Sequence, residues 1–207
     1  KEKYKKPGNV FLGLVHRLDR PVSGIILFAK TSKGASRLSE QFRNHGIEKI
    51  YQAIVIASPV GLASGLRPRG KALQNRGVLT NFLSKNEKIL KAEVRGGRTP
   101  AGADGGKEVV LYYEVIKSSK PFGATQGRYS LLKIKIETGK FHQIRAQLSF
   151  AGYPILGDIK YGAKNPLPDK SIALCATAIS FKTATENKVI KLSISLPKEW
   201  GKYLSTG

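Results

Sequence analysis

Residues Tyr129 to Glu137 set Leu132, Ile134 and Ile136 in strict alternation with Lys133, Lys135 and Glu137. A period of two commits this stretch to a strand with one buried face and one solvated, basic face. Val109 to Ile116 reads as a further strand, and Ile47 to Ala57 (IEKIYQAIVIA) as a third, which fixes the Tyr51 ring to one side of a sheet. A chain with this pattern must build a core around a sheet that keeps water on part of its surface.

Elsewhere the period changes. Val22 to Lys30 (VSGIILFAK) is a short apolar run that suits a buried strand opened by Gly24. In TSKGASRLSEQFRNHG, Ala35, Leu38 and Phe42 fall at helical spacing, Thr31 or Ser32 can cap the start and Gly46 can close the end. Phe141, Ile144 and Leu148 mark one face of a second short helix closed by Gly152, with Arg145 in mid-helix. Ala173 to Phe181 and Val189 to Leu196 supply the last strands before a polar tail. Strands dominate with two helices and no internal repeat, so the class is α+β rather than βαβ alternation. The expected organisation is a basic linker at 1–10, one domain at 11–198 with a loop-rich segment at 58–107, and a tail at 199–207.

The loop-rich segment contains GLRPRGK and GGRTPAGADGGK, bracketing weaker strand candidates at Val78 to Leu83 and Ile89 to Val94. Gly96-Gly97 and Gly102 to Gly106 match no phosphate-loop spacing and precede no helix, so they read as connectors or a hairpin tip rather than a nucleotide cradle. The start, KEKYKKPGNV, has no Met and reads as a piece of something longer, its Lys1 to Lys6 run as a solvated linker end.

Charge narrows the partner. Lys and Arg number 36 against 14 Asp and Glu, a formal net charge of +22, which attracts a polyanion through counterion release and long-range steering. No stretch approaches the ~20 apolar residues of a membrane-spanning helix. Cys175 is alone, so no intramolecular disulfide framework is possible and a reducing compartment is favoured. The histidines His16, His45 and His142 show no close ligand pairing with it, and no metal site is expected.

Against that background Asp19 stands out. It is one of four aspartates, and it lies between Arg17 and Arg20 in His16-Arg17-Leu18-Asp19-Arg20-Pro21-Val22-Ser23-Gly24. Opposite charge favours the ionised form of such a carboxylate, which suits a nucleophile or a base. Organising a turn or its arginines is the plainer role for an isolated aspartate.

The run HRLDRPVSG resembles the aspartate motif of the RluA-type RNA pseudouridine synthases, with Val22 where the family usually has Thr. Further blocks follow in order. Lys49 to Val55 looks like the family's Lys-x-Tyr strand, and Glu137 to Arg145 (ETGKFHQIR) is similar to its Thr-Gly-Arg-x-His-Gln-Ile-Arg motif, with Lys140 for Arg. Gly152 to Asp158 with Tyr161-Gly162, and Leu174-Cys175-Ala176 with Cys175 for His, resemble its later elements. Several ordered motifs carry more weight than any one pattern.

The resemblance implies a pseudouridine synthase fold, with a mixed, mainly antiparallel sheet flanked by a few helices. The family's early strand with Lys-Pro is not seen, since Lys6-Pro7-Gly8 lies too close to Asp19. The N-terminal part of the catalytic domain is therefore expected to be missing or supplied by another chain. It further implies isomerisation of uridine in rRNA or tRNA, without cofactor, on a nucleotide flipped from its stack. Asp19 would act at the sugar as nucleophile or proton acceptor, Arg145 would pair with it, and Tyr51 would stack on the base and help remove a proton from C5. Arg17, Arg20, Lys140, His142 and Leu174 would face the substrate. His142 is expected to make a structural hydrogen bond, and Asp158 to brace the loop after the second helix. A monomer in cytoplasm or an organelle matrix is expected. The competing readings are a catalytically silent RNA-binding assembly factor or chaperone, or a structural ribosome-associated protein.

Overall fold

The computed structural model describes residues 10–57, 73–95, 106–121, 128–186 and 188–205. The Lys1 to Lys6 run, Lys6-Pro7-Gly8, Gly96-Gly97, Gly102 to Gly105 and the GLRPRGK stretch lie outside the described residues.

Among the described residues, ten strands and three α-helices follow in order: β1 (Gly13–Leu14), β2 (Ser23–Gly24), β3 (Phe28–Ala29), α1 (Ser32–Arg43), β4 (Glu48–Ala57), β5 (Arg76–Asn86), β6 (Lys91–Arg95), β7 (Lys107–Ser118), β8 (Arg128–Ile136), α2 (Gln143–Phe150), β9 (Leu174–Lys182), β10 (Val189–Ser193) and α3 (Gly201–Leu204). The main sheet is eight-stranded in the order β10-β9-β4-β8-β7-β5-β6, with β2 added against β9. Every pairing in it is antiparallel except β2 with β9. This is the α+β class and the mixed, mainly antiparallel sheet expected above.

The alternation in β8 is realised as read. Leu132, Ile134 and Ile136 are buried while Lys133 and Lys135 are exposed. β4 is different: Ala53, Ile54 and Val55 are all fully buried, because both faces and both edges of its C-terminal half are covered. β8 pairs along one edge. On the other edge β9 gives way to the segment before it, through Ile54 N–H to the Ala173 carbonyl and a bridge between Val55 and Ile155. That handover fixes where the chain leaves the sheet, and Asp158 follows three residues later.

The short α2 is buried from Gln143 to Leu148. Two glutamines satisfy backbone groups of the sheet it covers. Gln143 Nε2 donates to the Val110 carbonyl, and Gln147 Nε2 donates to the Leu79 carbonyl and Asn81 Oδ1. Buried amides of this kind hold a helix in one register, because a slip would leave them unpaired.

Three expectations are corrected. Val22 to Lys30 is not one buried strand: Ser23–Gly24 runs parallel to β9, Phe28–Ala29 pairs with β1, and Ile26 and Phe28 are exposed. The run changes partner midway, and an apolar window alone cannot show that. α1 is capped by Thr31 as read, but it ends at Asn44, and Gly46 only returns its N–H to the Gln41 carbonyl. The C-terminal residues 199–204, expected as part of a polar tail after the domain, dock on it instead: Trp200 and Leu204 are buried and the Tyr203 ring meets Tyr129 edge-on at 5.4 Å. Two smaller shifts also stand: Phe141 lies just before α2 and is exposed, and Gly152 lies one residue past the Ala151 cap. The weak strand candidates are real, as β5 and β6.

His16 ties the segment before Asp19 to β3, its Nε2 accepting from Leu27 N–H at 2.9 Å. Burial, and then the charge of Lys49, push its pKa from 6.5 down to about 4. The folded state therefore binds fewer protons than the unfolded state in this window. The stability this arrangement contributes is whole above pH 6.5 and is lost as pH falls toward 4. His16→Gln keeps an acceptor for Leu27 and removes the titration. Thermal melts from pH 7 to pH 4 should show a shallower loss for His16→Gln than for wild type, by a few degrees. Parallel curves would count against the assignment.

Candidate active site

Asp19 opens a tight turn in which Val22 N–H donates to its carbonyl at 2.9 Å. The turn is then sewn to β9 through the main chain. Ile172 N–H donates to the Pro21 carbonyl, Ser23 and Gly24 lie parallel to Cys175 and Ala176, and Ile25 N–H donates to the Ala176 carbonyl. Gly24 has φ +128°, and a Cβ there would stand 2.4 Å from the Ala176 nitrogen. Only glycine allows this approach.

The turn sends Asp19 inward toward α2 and leaves Arg17 and Arg20 exposed. Neither arginine comes within ion-pair distance of it. The cation that meets Asp19 is Arg145, whose Nη1 lies 3.4 Å from Oδ2. Arg145 is itself gripped by Asp158: Nε donates to Oδ2 at 2.7 Å and Nη2 to Oδ1 at 2.9 Å. The Asp158 side chain is 1% exposed, that of Arg145 5% and that of Asp19 28%. One buried, two-pronged pair thus orients the guanidinium and leaves its third nitrogen for the more open carboxylate. Asp158 braces more than a loop, because it sets the arginine.

His142 precedes α2 in a left-handed conformation, φ 52° and ψ 22°, and its ring stacks on Phe141 at 3.8 Å. Its Nδ1 lies 2.9 Å from the Tyr161 hydroxyl and its Nε2 lies 3.8 Å from Asp19 Oδ2. Tyr161 already accepts from the Ala92 N–H of β6 at 2.7 Å, which frees its own proton for His142 Nδ1. Burial pushes the Tyr161 phenol up to about 12, so that proton stays on the oxygen. Burial and then the Arg145 charge lower the pKa of His142, so its ring is neutral at neutral pH. The ring proton then sits on Nε2, facing Asp19. The Arg145 guanidinium carbon also lies 4.9 Å from the Tyr161 ring centre.

Tyr51 sits on β4 between Ile134 of β8 and Ala176 of β9. Burial and then the Asp19 charge raise its pKa to about 12. It therefore carries its proton at neutral pH. Leu174, the first residue of β9, lies in the core cluster against which Tyr51 packs. Lys140 is exposed, with its backbone N–H held by Gln143 Oε1. Among the described residues no group of three or more His, Cys, Asp or Glu side chains converges as a metal site requires. The arrangement presents one carboxylate, backed by a buried cation, beside an aromatic ring and a neutral imidazole donor. That combination suits nucleophilic or basic chemistry at a partly open carboxylate.

A family model described as RNA pseudouridylate synthase matches residues 1–150. Ribosomal large subunit pseudouridine synthase C of Rickettsia typhi is 31% identical over 186 residues, covering 89% of this chain and 53% of that protein. tRNA pseudouridine synthase C of Pectobacterium carotovorum is 34% identical over 152 residues, covering 72% of this chain and 35% of its own length. The chain thus spans about half the length of the first and about a third of the second. Among solved structures, human RNA pseudouridylate synthase domain containing 1 superposes with a TM-score of 0.68 at 20% identity, covering 94% of this chain and 72% of its own. That likeness is one of fold.

Asp158→Asn removes the charge that balances a buried guanidinium and should cost about 3–5 kcal/mol. Asp19→Asn should cost far less, since water reaches that carboxylate. Urea unfolding of the two variants measures the difference, and equal losses would refute the ordering. With only three histidines in the sequence, ¹⁵N spectra at neutral pH should show the His142 proton on Nε2 in wild type and a mixture of tautomers in Tyr161→Phe. A wild-type proton on Nδ1 would sink the assigned chain of hydrogen bonds.

Proposed function

Because this chain belongs to the RNA pseudouridylate synthase family, we propose that its site converts uridine to pseudouridine within structured RNA, ribosomal or transfer. The reaction breaks the bond from the ribose to N1, turns the base and joins it again through C5. A proton leaves C5 and one arrives at N1, so the formula does not change and no cofactor is required. The reading rests above all on the contact between Arg145 and Asp19, a carboxylate held beside Tyr51 by a cation that Asp158 keeps in place.

In this reading Asp19 is the nucleophile or proton acceptor at the sugar. Arg145 faces it across 3.4 Å and aims it. Tyr51 stacks on the extruded base, with Leu174 packing behind. His142 adds a neutral donor on the other side of Asp19. Arg17, Arg20 and Lys140, all exposed, grip the phosphates of the opened strand, and Arg17 helps fill the place the nucleotide leaves. Target choice falls to the segment between Ser58 and Gly106. The protein works as a monomer in cytoplasm or an organelle matrix, on free RNA or a pre-ribosomal particle.

Asp19→Asn is nearly isosteric and removes the reactive charge. Pseudouridine formation in an RNA substrate, read by mass spectrometry, should fall at least about 10³-fold while RNA binding is preserved. Unchanged modification would refute the catalytic role. No modification by wild type, with binding intact, would favour a silent RNA-binding assembly factor.

A further inference from the structure

The three segments that carry Asp19, Tyr51 and His142 build a second cluster beside the first. His16 lies three residues before Asp19, Lys49 two before Tyr51, and Gly139 three before His142. The Lys49 ammonium sits 5.7 Å from the centre of the Phe42 ring of α1, and a Cβ at Gly139 would stand 3.1 Å from it. His16 stacks on the same Phe42 at 4.7 Å.

Lys49 is half-buried, yet none of the ion pairs among the described residues includes it. The carboxylate next to it in sequence, Glu48, is already paired with Lys135 at 2.7 Å. His16 offers no anion either, since its Nε2 is occupied by Leu27 N–H and its ring is neutral at neutral pH. The contact with Phe42 lies near the ~6 Å outer limit for a cation over an aromatic face, so it offsets little of the charge. Burial drives the Lys49 pKa down, consistent with a charge that lacks a counter-ion. A folded protein rarely keeps a cation in such a place without an anion to meet it.

We propose that Lys49 binds a backbone phosphate of the RNA strand next to the nucleotide delivered to Asp19. The inference rests on the reading of RNA as substrate and adds a phosphate subsite to it. Lys49 and Tyr51 alternate onto the same face of β4, and their side chains leave the strand about 6–7 Å apart. A strand whose base reaches Tyr51 then carries its own phosphodiester past Lys49. The missing side chain at Gly139 leaves the ammonium room to meet it.

The test is RNA binding as a function of salt, with a stem-loop carrying uridines in its loop as probe. Lys49→Met keeps the apolar stem and removes the charge. Its plot of log affinity against log salt should be shallower than wild type by about 0.7, the release expected for one single-stranded phosphate. Lys49→Arg should keep the wild-type slope. The melting temperature of Lys49→Met should equal or exceed that of wild type, because an uncompensated buried charge has been removed. An unchanged slope in Lys49→Met, or a lowered melting temperature with an unchanged slope, overturns the phosphate site and leaves Lys49 as a packing residue. If wild type shows no salt-dependent RNA binding, the RNA reading itself fails and the subsite falls with it.

Discussion

The site is organised by one guanidinium shared between two carboxylates of unequal exposure. Asp158 takes two nitrogens of Arg145 in a dry, two-pronged pair, and Asp19 meets the third across 3.4 Å. The inequality matters. The buried pair fixes direction, since neither partner can turn without stranding the other. The outer contact is longer and wetter, so the Asp19 carboxylate stays open to solvent. A single aspartate paired directly and tightly with the arginine would be well placed but tied down.

Everything that meets at this point comes from distant parts of the chain. Asp19 arrives on a turn laid against β9, Tyr51 on β4, Arg145 on α2 and Asp158 on the segment that follows it. β4 joins them, pairing with β8 on one edge and with β9 and the Pro154 to Leu156 segment on the other. Each of these side chains therefore reaches the site only through long-range pairing of the sheet.

The alternating strand β8 and the Thr31 cap that starts α1 were legible because local period and side-chain chemistry decide them. Asp19, Tyr51 and Arg145 were found through the ordered motifs of a resemblance, not through their own neighbourhoods. The local reading of Asp19 chose the wrong arginines: adjacency in sequence put Arg17 and Arg20 first, whereas the turn points them outward and carries Asp19 inward to Arg145 on α2. Asp158 looked like a brace, and its grip on Arg145 depends on the strand handover near Ile155. Tyr161 gave no sign beyond its place in a Tyr-Gly pair, since its role needs the Ala92 amide from the far side of the sheet. Trp200 was hidden in polar surroundings, where composition argues for solvent although one large ring is enough to dock the chain.

The approach of Gly24 to Ala176 means that Asp19 is held in place by main chain against main chain. Such a mount takes no instruction from the side chains around it. Val22 can stand where Thr is usual, and Cys175 where His is usual, and the carboxylate is still delivered to one spot. The position of the carboxylate is thus set by backbone pairing rather than by the side chains that flank it. Substitution at the one residue that has no side chain would be felt before any change at its more conspicuous neighbours.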